Sequence, residues 1–244
     1  MDIVDPRQTY RYDPTLATKW QLLAKGIYFT SCLTQCTFIS PTVLLTAGTD
    51  GHAVLWPLSA SEPNQALKWQ HPARIHQNAS KSMATHVDNN STTLIISGGD
   101  DGALAFLLAH PTTPDPSAAH ESYASPPVLV SRAHGSAVTA CAVASIGPHI
   151  YVLTSGNDEW VRLWEVAIDD NAANDATRRT SDMLTIKRLS KAKTSVADVS
   201  SMAVLSATSH TARVLLCGVG MEVIRVELSQ GGEQDSGAGQ DVIP

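Results

Sequence analysis

Tyr151–Val166 reads YVLTSGNDEWVRLWEV. An apolar run meets a Ser-Gly-Asn-Asp turn, then alternates through Trp160, Val161, Arg162 and Leu163 to Trp164. Two β-branched and aromatic runs joined by such a turn predict a β-hairpin. The phrase recurs as 43–58 (VLLTAGTDGHAVLWPL), as 94–109 (LIISGGDDGALAFLLA) and, degenerate, as 214–228 (VLLCGVGMEVIRVEL). In the first three, Asp50, Asp101 or Asp158 is followed six residues later by Trp56, Leu107 or Trp164. The chain is a repeat protein.

Gly48, Gly99, Gly156 and Gly218 mark the period, at spacings of 51, 57 and 62 residues. That exceeds the about 40–45 of a plain WD-type blade. Two polar linkers, 110–127 (HPTTPDPSAAHESYASPP) and 169–181, account for much of the excess and read as flexible loops. Strand-like runs group in fours. The first group is 20–24, 27–39, 43–47 and 53–58; a short run at 67–70, anchored by Trp69, precedes the second at 82–87, 94–97 and 103–108. The third is 128–131, 138–144, 150–155 and 161–166, and the last is 183–189, 199–205, 214–217 and 223–228. Turn-punctuated strands at this spacing predict an all-β, WD-repeat β-propeller of about four blades spanning residues 19–228. Residues 1–18, with Pro6 and Pro14, read as an extended lead-in, and the Gly-, Gln- and Asp-rich 229–244 as a disordered tail. The chain opens on an outer-type strand and ends on a third strand, so each blade's outer strand lies early in the next unit. Four blades are few for a closed ring, so the chain reads as part of a larger or incomplete propeller.

Charged residues make up only 16% of the 244, below the usual quarter, which suits half-buried strands and polar turns. The net charge of −6 does not by itself attract phosphates, so nucleic-acid contact requires a local basic patch. Cys32, Cys36, Cys141 and Cys217 are scattered in strand-like runs and read as buried free thiols. Cys32 and Cys36 have no second ligand pair to complete a zinc site. There is no secretory signal and no apolar run long enough to span a bilayer, so a cytoplasmic location is expected and the Asn-x-Ser/Thr matches at Asn78, Asn89 and Asn90 read as chance.

His134, Ser155, Asp158 and Trp164 resemble the structural tetrad of WD propellers, a buried His, Ser/Thr, Asp and Trp hydrogen-bond chain. His134 lies 24 residues before Asp158, and His76 lies 25 before Asp101, with Ser97 between. Asp50 and Trp56 mark the corresponding positions of the first unit. Ser, His and Asp are also the members of a hydrolase triad. That needs an exposed nucleophile beside an oxyanion hole, and no Gly-x-Ser-x-Gly elbow is present. A set that recurs with the fold period reads as scaffold. Asp100 and Asp101 lack the further oxygens of a calcium loop and read as turn formers. No Lys or helix follows Gly98-Gly99 to make a phosphate cradle, so no cofactor or metal is expected. Lys187, Arg188, Lys191 and Lys193 form a dispersed basic set for RNA phosphates or an acidic partner, or a solvated edge.

The third and fourth units resemble one family more closely than the general pattern. Ala133-His134-Gly135-Ser136-Ala137-Val138-Thr139 leads to Thr154-Ser155-Gly156-Asn157-Asp158 and Leu163-Trp164. Then follow Ser195-Val196-Ala197-Asp198-Val199-Ser200-Ser201-Met202 and Cys217-Gly218-Val219-Gly220-Met221-Glu222-Val223. The Val-Ala-Asp-Val element and the Gly-x-Gly-x-Glu-Val ending resemble the C-terminus of the WD repeat-containing protein 6 family. The Gly-Asp turns are generic. The resemblance implies a non-catalytic cytoplasmic scaffold, partner of a tRNA 2′-O-ribose methyltransferase that modifies the wobble nucleotide of the anticodon loop, with tRNA itself as a further partner. This chain is much shorter than such proteins. It has no Gly-rich S-adenosylmethionine loop, and no membrane or small-molecule substrate is expected. The alternative is a generic WD adaptor for protein complexes unrelated to RNA.

Overall fold

The computed structural model describes residues 24–28, 31–58, 65–88, 92–109, 126–169 and 183–228. The expected lead-in, most of both linkers and the tail lie outside them. Three four-stranded antiparallel sheets follow one another. Blade 1 is β2 (Leu33–Ser40), β3 (Val43–Gly48), β4 (His52–Pro57) and β6 (Gln70–Arg74). Blade 2 is β7 (Ser80–Val87), β8 (Thr93–Gly99), β9 (Leu104–Ala109) and β10 (Val128–Val130). Blade 3 is β11 (Val138–Ile146), β12 (His149–Gly156), β13 (Trp160–Ile168) and β14 (Leu184–Lys193). As the phase of the repeat predicts, β6, β10 and β14 each precede the next blade in sequence.

Blade 4 is built from β15 (Ala197–Ala207) and the 17-residue β16 (Thr211–Glu227). Fully extended, β16 would reach roughly 55 Å at about 3.3 Å per residue. Instead the Leu228 amide donates to the His210 carbonyl at 3.0 Å, so the strand doubles back on its own start near Gly220, where φ is +105°. Blade 4 therefore has three strands, as the two runs 214–217 and 223–228 predict.

Two expectations about strands change. The outer strand of blade 1 is β6 rather than 67–70, and Trp69 sits in the gap between it and β5 (Gln65–Leu67). The run 27–39 enters its sheet only at Leu33. Ahead of it, β1 (Ala24–Gly26) pairs in parallel with β5, outside the blade 1 sheet.

The inner strands β2, β7, β11 and β15 stand side by side, joined by hydroxyls that cross from blade to blade. Thr34 Oγ1 donates to the Ser80 carbonyl at 2.9 Å, Ser82 Oγ to the Val138 carbonyl at 2.9 Å, and Thr139 Oγ1 to the Val199 carbonyl. Between blades lie three apolar layers. Leu45, Leu55, Ile95 and Leu107 join blades 1 and 2; Ile96, Phe106, Val152 and Trp164 join 2 and 3; Tyr151, Leu153, Val199 and Val214 join 3 and 4. Every residue of β8 and β9 is buried because blade 2 is covered on both faces. Its strands accordingly read as near-continuous apolar runs.

Cys141 is buried, and burial pushes its thiol up to about 12. Cys217 is half-buried, but Cys32 and Cys36 are exposed, contrary to the buried-thiol reading. They lie at and just before β2, whose outer side meets no further blade among the described residues.

Candidate functional site

In blade 3 the indole N–H of Trp164 donates to Thr154 Oγ1 at 2.9 Å. Thr154 Oγ1 lies 2.8 Å from His134 Nε2, and His134 Nδ1 lies 3.0 Å from Asp158 Oδ1. One direction of donation satisfies the whole row: indole to hydroxyl, hydroxyl to Nε2, and Nδ1–H to carboxylate, with the imidazole neutral. The hydroxyl is Thr154, not Ser155. Alternation along β12 sends neighbours to opposite faces, and Trp164 pairs with Val152, two residues before Thr154 and on its face. Ser155 is fully buried, and its Oγ has no hydrogen-bond partner among the described residues.

Blade 2 repeats the set without the indole. His76 Nδ1 lies 3.2 Å from Asp101 Oδ1, and His76 Nε2 lies 2.9 Å from Ser97 Oγ. Leu107 replaces the tryptophan, and Ser80 Oγ takes its place beside Ser97 at 2.9 Å. Each aspartate also accepts the amide just after its histidine: Gln77 N on Asp101 at 2.8 Å, Gly135 N on Asp158 at 3.0 Å. Each closes its own turn as expected of a turn former: Ala103 N donates to Asp101 and Trp160 N to Asp158. Gly99 must stay bare, since a Cβ there would come within 2.3 Å of His76 Nδ1.

The outer blades keep the plan with substitute residues that sequence reading missed. In blade 1 the indole of Trp56 donates to Thr46 Oγ1 at 2.8 Å, and the buried Tyr28 hydrogen-bonds Asp50 where a histidine stands elsewhere. In blade 4 Glu222 Oε2 accepts Thr194 Oγ1 at 2.6 Å and the Ser195 amide at 3.1 Å. Glu222 thus replaces the aspartate, and Thr194 the histidine. The signal was position: Thr194 N donates to the Glu159 carbonyl as His134 N does to Gly102 and His76 N to Gly51. Those three acceptors all adopt positive φ, +60°, +72° and +73°.

Electrostatics match burial. The imidazoles of His76 and His134 are held below the ordinary histidine value, chiefly by burial. Burial pushes Asp158 upward, but hydrogen bonds from His134, Gly135 and Arg162 outweigh it and hold the carboxyl far below the usual range. Arg162 Nη1 donates to Asp158 Oδ2 at 2.8 Å. None of this is a reaction centre. Thr154 is fully buried, its one proton committed to His134 and its oxygen accepting from Trp164, so no substrate reaches it as a nucleophile. The groups of this row hold a blade together.

Two surface features of the described residues lie apart from this row. A cleft of about 370 Å³ opens between the turns of blades 2 and 3, lined by His86, Asp88, Ser145, His149 and Ile168 among others. Its imidazoles face no cluster able to hold a metal: no group of three or more candidate ligands occurs among the described residues. The other surface is β14, the edge strand of blade 3 among the described residues, where Lys187, Arg188, Lys191 and Lys193 are all exposed. Lys191 lies over the Trp160 ring at 4.6 Å and Lys193 pairs with Glu159 at 3.2 Å.

Antiparallel four-stranded blades, a shared set of inner strands and a His–Asp–hydroxyl row define a WD-type β-propeller fold. No protein-family model matches the chain, and no curated protein matches it. Among solved structures it is similar to the computationally designed Ika4 protein, at 16% identity and TM-score 0.51, covering 85% of this chain and 98% of that one. It is similar to a chain of the Chaetomium thermophilum polycomb repressive complex 2, at 13% identity and TM-score 0.58, covering 88% of this chain and 49% of that one. It also matches the RRP9 WD40 repeats at 13% identity and TM-score 0.47, covering 81% and 52%. The chain thus spans about half the length of the latter two. At these identities the likeness concerns the fold alone. No helix among the described residues is long and apolar enough to cross a membrane.

Proposed function

We propose that the chain is a cytoplasmic, non-catalytic scaffold, the auxiliary subunit of a tRNA 2′-O-ribose methyltransferase acting at the wobble nucleotide. The observation that supports an RNA role is β14. On a chain of net charge −6 it gathers four exposed cations on one edge, and Lys187 and Arg188 carry no ion pair among the described residues. Cations on an edge strand also deter strand addition, so their presence alone does not choose between the two uses. A salt series does. If β14 lies along phosphates, tRNA affinity falls steeply with salt, and Lys187→Ala with Arg188→Ala flattens the log–log slope by about 0.7–0.9 for each phosphate no longer neutralised. Pull-down of the chain is expected to recover the methyltransferase, and deletion of the gene to remove wobble 2′-O-methylation. If neither enzyme nor tRNA is recovered, the reading fails. The acidic net charge then favours the adaptor for protein complexes unrelated to RNA.

A further inference from the structure

The two ends of the blade row are complementary to each other. At the first two internal junctions an outer strand precedes the clasp residue of the next blade, packs in the layer against that blade and pairs with the blade behind. β14 likewise precedes Thr194 and pairs with blade 3, but its buried end packs between blades 2 and 3. β10 follows the first pattern ahead of His134, with Val128 and Val130 packed on the Trp164 cluster. β1 stands in that place ahead of Tyr28: it covers the near face of blade 1, where a Cβ on Gly26 would come within 2.4 Å of the Trp56 ring. Yet no blade lies behind β1 among the described residues. Its partner is the three-residue β5, in the single parallel pairing of the described sheets. Blade 4 has the opposite lack: its third strand, the return of β16, has no fourth strand beside it among the described residues.

The inner hydroxyls show the same pair of loose ends. Thr34 Oγ1 bonds the Ala47 carbonyl at 3.3 Å, just before Gly48, and then the next blade's Ser80 carbonyl. Ser200 holds the equivalent place in blade 4, bonding the Cys217 carbonyl at 3.4 Å, just before Gly218, and it is exposed, with no next inner strand beside it among the described residues. The acceptor equivalent to Ser80 on β2 is Leu33, which pairs with Gly48 as Ser80 pairs with Gly99. The far face of blade 4 is also bare: Val219 is 70% exposed, and Leu205 and Val223 are about half exposed.

We propose that two copies of this chain close head to tail into one eight-bladed ring. Blade 4 of each copy packs on blade 1 of the other, displacing Leu67 and Trp69, which cover Trp56 in the single chain. β1 exchanges β5 for the returned strand of β16, and Ser200 donates to the Leu33 carbonyl across each junction. The occupant is a second copy because one molecule offers both halves of the inner-strand contact seen three times within the chain and of the outer-strand packing seen twice. A two-fold operation satisfies both at once and leaves no free blade face.

Sedimentation equilibrium on the full chain tests this. The expected mass is twice 26.0 kDa, and a monomer across the accessible concentrations overturns the proposal, as does an open series of larger polymers. The double variant Val219→Glu, Val223→Glu is expected to be a monomer with an unchanged circular dichroism spectrum. A dimer that survives both charges uses another interface and equally overturns the proposal. Independently of folding stability, Ser200→Cys is expected to cross-link to Cys32 or Cys36 of the second copy under mild oxidation. The bond should vanish in Cys32→Ser, Cys36→Ser, and absence of any cross-linked dimer counts against the junction. Neither outcome touches the RNA reading, which rests on β14.

Discussion

Thr154 and Ser155 are neighbours with opposite fates. Thr154 joins Trp164 to His134, while Ser155 buries a hydroxyl with no partner among the described residues. Thr154→Val keeps the shape and strands two buried partners, which costs about 1–3 kcal/mol. Ser155→Ala removes a group already unsatisfied and is expected to leave stability unchanged or raise it. Urea denaturation of the two variants decides the matter; equal losses would show that the row runs otherwise. Acid probes the same residues. His76 and His134 have lowered values in the folded chain, so below about pH 6.5 the unfolded chain takes up protons that the folded chain refuses. Asp158, held low, acts in the same direction below about pH 4, where unfolded carboxylates protonate first. Stability is therefore full above neutrality and declines as pH falls from about 7 to 5, then further below 4. Denaturation midpoints at pH 7.5 and 5.5 measure the first step, and His134→Gln should flatten it by up to one proton.

At the scale of the element, the repeated turn explains both what the sequence revealed and what it hid. Gly51 and Gly102 supply the positive φ at the turn that receives the next blade; Glu159 does the same work in a conformation unfavourable to a side chain. Glu159→Gly is expected to raise stability by up to about 1 kcal/mol, with the exposed Lys193 ion pair contributing little against it. Thermal denaturation that shows a clear loss would contradict this. Strands were legible wherever burial on both faces left an unbroken apolar run, as in β8 and β9, or where a Gly-Asp turn separated two runs. The hydroxyl was misplaced by one residue because SG and TSG offer two candidates, and only strand pairing says which faces Trp164. Tyr28 escapes a reading by residue type, and Glu222 enters only through the Gly-x-Gly-x-Glu-Val ending and not as a clasp residue, because both keep the geometry of the clasp while changing its letters. A pattern of residue types cannot register a phenol or a longer carboxylate doing the same bonding.

For the whole molecule, stability is carried between neighbours. Blade 2 is packed on both faces, and blade 4 on one. Opening is then expected from the ends inward, as in other arrays whose units touch only adjacent units. Hydrogen exchange should find the amides of β8, β9 and β12 slowest, at the global limit, and the returned half of β16 among the fastest. Glu222→Gln weakens the clasp that ties Thr194 and Ser195 to that half, so it should speed exchange in blade 4 and leave β8 and β9 untouched. If the ring closes with a second copy, raising the protein concentration slows exchange in β2 and the β16 return together, since one junction covers both. Protection that is uniform along the chain, or that collapses in all blades with Glu222→Gln, would mean the four blades unfold as a single unit.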